Sequence, residues 1–138
     1  MNPFKSQGFD SLIAKGLKIE GHMTLAPDTT TQIDGEMSGE TISMTDAPAG
    51  KGTKTTLVVN GSVKTIQMII VPNVTITGEV ECSALEVVGV LAIKKGAKVK
   101  CNRIRYNTLI VETGAIIHGH FEHIQTAEIP TLIDVVKP

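Results

Sequence analysis

Val59-Asn60-Gly61-Ser62-Val63 is answered 17 residues later by Ile76-Thr77-Gly78-Glu79-Val80. In both stretches apolar side chains take alternate positions, the two-residue period of a β-strand. Both also place a glycine where a strand ordinarily avoids one. A glycine at a fixed place in a repeated strand unit marks a recurring corner, or a position with no room for a side chain. The pattern Ile/Val-x-Gly-x-apolar occurs six times in the 138 residues. The other copies are Ile19-Glu20-Gly21-His22-Met23, Ile33-Asp34-Gly35-Glu36-Met37, Val87-Val88-Gly89-Val90-Leu91 and Ile117-His118-Gly119-His120-Phe121. Self-similarity of this kind is the signature of a solenoid.

The spacing sets the size of one turn. Leu91-Ala92-Ile93-Lys94-Lys95-Gly96-Ala97-Lys98-Val99 aligns with Leu109-Ile110-Val111-Glu112-Thr113-Gly114-Ala115-Ile116-Ile117 at an offset of 18. Ile33 to Val59 is 26, but residues 46–54 lack apolar alternation and are rich in Gly and Pro, and removing these nine restores 17. Ile76 to Val99 is 23, which predicts an extra strand-length segment or a bulge in that turn. Ile19 to Ile33 is 14, which predicts a short first turn. A period of 17 to 18 accommodates three strands of about four residues joined by two-residue corners. That is one coil of a three-sided parallel β-helix, whose coils stack about 4.8 Å apart. From Leu12 to Ile124 there is room for about six coils, a stack roughly 30 Å long. A left-handed hexapeptide β-helix would need a strict period of six, which these offsets do not keep. A β-sandwich ranks third.

Apolar residues are 41% of the chain and are mainly Val, Ile and Leu; there is no Trp, one Tyr (Tyr106) and three Phe. A narrow bore filled by stacked β-branched side chains produces this bias. Net charge is −1 with a pI near 6.4, which gives no electrostatic footprint for nucleic acid. The four Lys between Lys94 and Lys100 read as a solvated outer face, with no interleaved aromatics of the kind single strands stack on. Cys82 and Cys101 lie 19 apart, about one coil, and are expected as two small buried thiols in neighbouring coils of a protein from a reducing cytosol. No signal peptide is legible, and no apolar run approaches the roughly 20 residues of a transmembrane helix.

Three candidate chemistries were weighed. His118, His120 and His123 form the sharpest arrangement for a metal, with His118 and His120 expected on one face and His123 around the corner. Ile117, Gly119 and Phe121 take the opposite parity, so the histidines are better read as exterior polar residues, and no native metal is expected. Ala49-Gly50-Lys51-Gly52-Thr53-Lys54 departs from the order of a phosphate loop and precedes no helix, so it is read as a surface insertion. No Ser-His-Asp, Cys-His or paired-carboxylate arrangement stands out, so no catalytic residue or cofactor is assigned.

A β-helix has two ends at which backbone N–H and C=O groups are unpaired and the core is cut open. Such edges invite pairing with another chain, and monomeric solenoids need polar caps. Neither end of this sequence carries an evident cap. Leu12, Ile13 and Leu17 in the first coil, and Ile116, Ile117, Phe121 and Ile124 in the last, are therefore the candidate polymerisation contacts. A coil-to-coil contact that does not close generates a filament and requires no nucleotide.

Leu12-Ile13-Ala14-Lys15-Gly16-Leu17-Lys18-Ile19-Glu20-Gly21, Ile33-Asp34-Gly35-Glu36-Met37-Ser38-Gly39-Glu40 and Leu109-Ile110-Val111-Glu112-Thr113-Gly114-Ala115-Ile116-Ile117-His118-Gly119 together resemble the bactofilins, from about Ser11 to Ile124. The resemblance implies a right-handed parallel β-helix with flexible N- and C-terminal tails. It also implies nucleotide-independent filaments that scaffold cell-shape or envelope enzymes in the bacterial cytoplasm, at the inner membrane face. The expected division is an N-terminal tail (1–10), a β-helix (11–124, with the insertion at 46–54) and a C-terminal tail (125–138). Phe4, Lys5 and Phe9 are candidate membrane contacts, weak singly but multiplied along a filament. The C-terminal Leu132-Ile133-x-Val135-Val136 run would pair as a strand or pack on the barrel. Two rival readings stand beside the polymer. One is a trimeric β-helix acyltransferase or anhydrase using His118, His120 and His123. The other is a binding module whose 46–54 loop captures a partner.

Overall fold

The computed structural model describes residues 10–44 and 53–124. These contain ten strands and no helix: β1 (Ser11–Ile13), β2 (Lys18–Leu25), β3 (Thr30–Ile33), β4 (Glu36–Met44), β5 (Thr56–Val59), β6 (Ser62–Ile70), β7 (Asn73–Ile76), β8 (Glu79–Ile93), β9 (Lys98–Val111) and β10 (Ile116–His123). Every pairing is parallel. Parallel pairs of neighbours this close in sequence require the chain to go once around and return one layer up, which is a solenoid.

The register resolves six coils of three faces. The first face stacks β1, β3, β5, β7 and then residues 90–93 of β8 and 108–111 of β9. The second face stacks the opening halves of β2, β4, β6, β8, β9 and β10, and the third stacks residues that follow a bend in those same strands. The bend falls where the register slips, between Gly21 and Met23, between Gly39 and Thr41, and between His118 and His120. The strands there continue around the corner through a bulge rather than stopping.

Alternate side chains of each strand point into the bore. Ile13, Ile33, Val59, Ile76, Ile93 and Val111 form one column of the first face. Ile19, Met37, Val63, Val80, Val99 and Ile117 form the column of the second. Met23, Ile42, Ile69, Leu85, Ile104 and Phe121 form that of the third. Their middle members are 0–2% exposed. A bore this narrow leaves no place for Trp, and each residue is packed by its homologues above and below as well as across the tube.

Two corner designs join the first face to the second. In coils 2 to 4 it is a residue pair, Asp34-Gly35, Asn60-Gly61 and Thr77-Gly78. A Cβ on Gly61 would run into the carbonyl oxygen of Gly35, and one on Gly78 into that of Gly61. The repeated glycine is thus a place with no room for a side chain, one of the two meanings its periodicity allowed. The partner positions form an outer ladder, in which Asn60 Nδ2 donates to Asp34 Oδ1 (2.8 Å) and the Thr77 hydroxyl donates to Asn60 Oδ1 (2.5 Å). Coils 1, 5 and 6 instead turn through Ala14–Leu17, Lys94–Ala97 and Glu112–Ala115, closed by N–H to carbonyl bonds of 3.0, 3.1 and 3.3 Å. Their glycines, Gly16, Gly96 and Gly114, have φ of 94°, 85° and 98°, the left-handed region that the third residue of such a turn demands.

Two spacing inferences are corrected. Ile76 pairs with Ile93, 17 later, and Val99 pairs with Val80, 19 earlier. The offset of 23 joined residues of different faces, so that turn holds no extra strand-length segment. Ile13 pairs with Ile33 and Ile19 with Met37, at 20 and 18, so the first coil is not short. The remaining irregularity is the insertion, which separates β4 from β5 at the corner between the third face and the first. Residues 45–52 lie outside the described part. Its closing end is anchored: Asp28 N–H donates to the buried Thr55 hydroxyl (2.7 Å), Lys54 N–H donates to Asp28 Oδ1 (3.0 Å), and Asn73 Nδ2 donates to Thr53 O (2.8 Å).

Candidate polymerisation interface

At the first end, β1 and β2 are hydrogen-bonded to β3 and β4 on one side only. At the last, β10 pairs only with β9. Among the described residues, then, both end coils carry a free row of backbone donors and acceptors on each face. The bore columns also open there. Ile19 is 40% exposed and Val111 46%, where Met37 and Ile93 of the same columns are 1% and 0%. The ends are cross-sections of a hydrophobic core, and burying them is favourable in proportion to apolar area.

The seven candidate contacts divide by orientation. Ile13, Ile117 and Phe121 are terminal members of bore columns and half-buried. Leu17, 54% exposed, sits in the first coil's turn. Ile124 closes the last coil, its N–H donating to Tyr106 O (2.6 Å). Leu12 and Ile116 take the outward parity: Leu12 pairs with Gln32, and Ile116 with Lys98. They flank the ends rather than continue the bore. Ile19, Met23 and Val111 also terminate the columns. Their signal was present in the motif copies, but pairing Ile19 with Ile33 concealed which residue follows it in the stack.

Charge around the last coil is organised by ion pairs. Arg103 Nε and Arg105 Nε lie 3.1 and 3.5 Å from the Glu122 carboxylate, and Arg105 also reaches Glu86 at 3.0 Å. The hydrogen bond from Arg103 holds the Glu122 carboxyl below the ordinary glutamate range, and Glu122 in turn raises Arg103. At the neighbouring corner the Lys95 backbone N–H donates to Glu112 (2.9 Å) and, with the Lys94 charge, lowers that carboxyl as well. Lys98 and Lys100 stand beside Glu79 and Glu81 on the outer side of the second face. The lysine run is thus a solvated face paired with acids.

The histidines are not gathered. The bend at Gly119 separates His118, beside Lys100 on the second face, from His120, beside Arg103 on the third; the single shared face expected for them does not exist. His123 stacks edge-on against Tyr106 (centroids 5.5 Å apart), with Nε2 3.0 Å from Asn107 O. Among the described residues no group of three His, Cys, Asp or Glu is placed to hold a metal ion. No helix among them is long and apolar enough to cross a membrane. The largest concavity, about 600 Å³, is an open groove along the bend, lined by residues such as Gly21, Gly39, Lys64, Cys82 and Lys100. Phe4, Lys5, Phe9 and the 125–138 tail lie outside the described residues.

An open-ended parallel β-helix without an assembled catalytic set has the build of a structural protein, and residues 11–122 match the family model described as Bactofilin, polymer-forming cytoskeletal. The chain belongs to the bactofilin family, a structural cytoskeletal family rather than an enzyme family. No curated relative matches the chain, and no solved structure does.

Proposed function

We propose that this chain polymerises end to end, without nucleotide, into filaments that scaffold cell-shape or envelope machinery in the cytoplasm. The observation that carries the reading is the contrast within single columns: Ile93 is fully buried, and Val111, one coil on, is 46% exposed. A second molecule stacked on that coil would pair the free edges and continue the bore, so the contact would resemble the interior of the tube. The rival trimeric enzyme finds no three-histidine set within one chain.

Phe4, Lys5 and Phe9 are proposed as a membrane contact at the cytoplasmic face of the inner membrane, strengthened by repetition along the filament. A scaffold of this kind would recruit cell-wall or envelope enzymes. Residues 46–54 would be one place for such a partner, and deleting them would then abolish capture without affecting assembly.

The test is negative-stain electron microscopy of the purified chain in EDTA without nucleotide. Long thin filaments are expected. Phe121→Arg or Ile117→Arg places a charge in the desolvated end contact and should leave particles of monomer size by light scattering. Filaments persisting in both variants would sink the end-contact model.

A further inference from the structure

The three outer surfaces of the prism differ in charge. On the second face, eight of the twelve outward positions carry Lys or Glu, for example Lys18, Glu20, Glu79 and Lys98. The third face bears the Glu86, Arg103, Arg105 and Glu122 network. On the first face no outward position of the six strands is ionisable. One outward column reads Leu12, Gln32, Val58, Thr75, Ala92, Ile110, and the other Thr30, Thr56, Asn73, Val90, Thr108. Leu12, Val90 and Ile110 are 39%, 37% and 49% exposed. Asp10, just before β1, marks one rim, where its carboxylate accepts from Thr30 N–H (2.8 Å).

We infer that this uncharged first face is a lateral docking surface for a second copy of the chain, sheet against sheet. The inference rests on the end-to-end reading for its strength but not for its location. Two first faces meet without desolvating any charge, whereas any pairing that uses the second face must bury several. Short threonine and β-branched side chains in register make a flat surface, and flat sheets pack face to face about 10 Å apart.

The area sets when this happens. Four residues of strand by six coils is about 13 Å by 29 Å, or ~400 Å² per chain. A stable pair needs about 800 Å² from each partner. One chain's face is therefore too small to hold a dimer alone. Chains already joined end to end present the face again at each subunit, and the small contacts act together. Lateral pairing should accordingly appear only where filaments appear.

The test uses the full chain in two arms. In microscopy, wild-type filaments should lie in pairs, and Thr75→Lys or Val58→Lys should give single filaments of undiminished length. In solution, Thr75→Cys, with Lys64→Cys on the second face as control, is treated with a bis-maleimide spanning the ~10 Å between packed sheets; native Cys82 and Cys101 are buried. Thr75→Cys should form covalent dimers at least about tenfold faster, because the reagent traps even brief face-to-face encounters. Equal rates, pairs persisting in both lysine variants, or a Thr75→Cys thiol shielded by the chain's own tail would each overturn the proposal. Single wild-type filaments with equal rates overturn it and leave end-to-end assembly standing. No filaments with fast Thr75→Cys dimers do the reverse.

Discussion

The thiol sulfurs of Cys82 and Cys101 lie 2.9 Å apart, stacked in coils 4 and 5 on the inner side of the second face. They are 7% and 2% exposed, and neither is in a disulfide. The 19-residue separation had placed them in adjacent coils, and the register makes them direct neighbours.

This contact predicts a stability loss in alkali. The pair holds one proton tightly. Cys101 ionises first, because the Cys82 thiol donates to its thiolate. Cys82 is then pushed far up by that hydrogen bond, by burial and by the Cys101 charge. Above the ordinary thiol value of 9.0 the unfolded chain sheds both protons and the folded chain keeps one. The stability contributed by Cys82 is therefore present below 9.0 and falls above it, by at most about 1.4 kcal/mol per pH unit. Urea midpoints of the monomeric Phe121→Arg chain in reducing buffer should drop above pH 9.0, and Cys82→Ala should flatten the drop. An unchanged slope in the variant would refute the shared proton.

The two corner designs should respond differently to alanine. Gly61→Ala drives a methyl into Gly35 O and to within 2.6 Å of Asp34 O, both backbone atoms of the coil beneath. A loss of about 3 kcal/mol or more is expected, as for severe overpacking. Gly96→Ala meets nothing within 4 Å but must adopt a φ of 85°, for about 1 kcal/mol. Denaturant unfolding of both variants measures the difference, and equal losses would contradict it.

Core deletions should depend on position in the stack. Ile76 is fully buried in the middle of its column, and Ile76→Ala should cost about 2–5 kcal/mol. Val111 ends the same column half-exposed, so Val111→Ala should cost the monomer under about 1 kcal/mol. The same variant should raise the concentration at which filaments form, since it removes apolar area from the end contact. Light scattering against concentration reads that shift.

Acid should loosen the last coil first. The Glu122 carboxyl lies below the ordinary glutamate value of 4.5 because Arg103 bonds to it. What that bond contributes is present above 4.5 and is lost as pH falls through the lower folded value. Hydrogen exchange in β10 should speed up in that window before exchange in β6, and Glu122→Gln should remove the pH dependence. Uniform acceleration along the chain would show that the Arg103–Glu122 pair does not hold the coil.

The alternating Val, Ile and Leu with glycine every 17 or so residues determined a parallel β-helix of about six coils, because strand parity and coil length are local and additive. The same locality made the two cysteines neighbours. Alignment by motif failed where residues of different faces look alike: Ile76 and Val99 both precede or follow a glycine corner, yet they belong to different columns. Only the register separates them, and it depends on what each strand meets one layer below. The tertiary structure alone decided that Leu12 and Ile116 face outward, that the bend at Gly119 parts His118 from His120, and that the first face carries no charge. Each is a property of how layers superpose. A sequence gives parity along a strand, but which side of the prism a residue occupies is settled by where the chain bends and by the carbonyls that exclude a side chain at the corner.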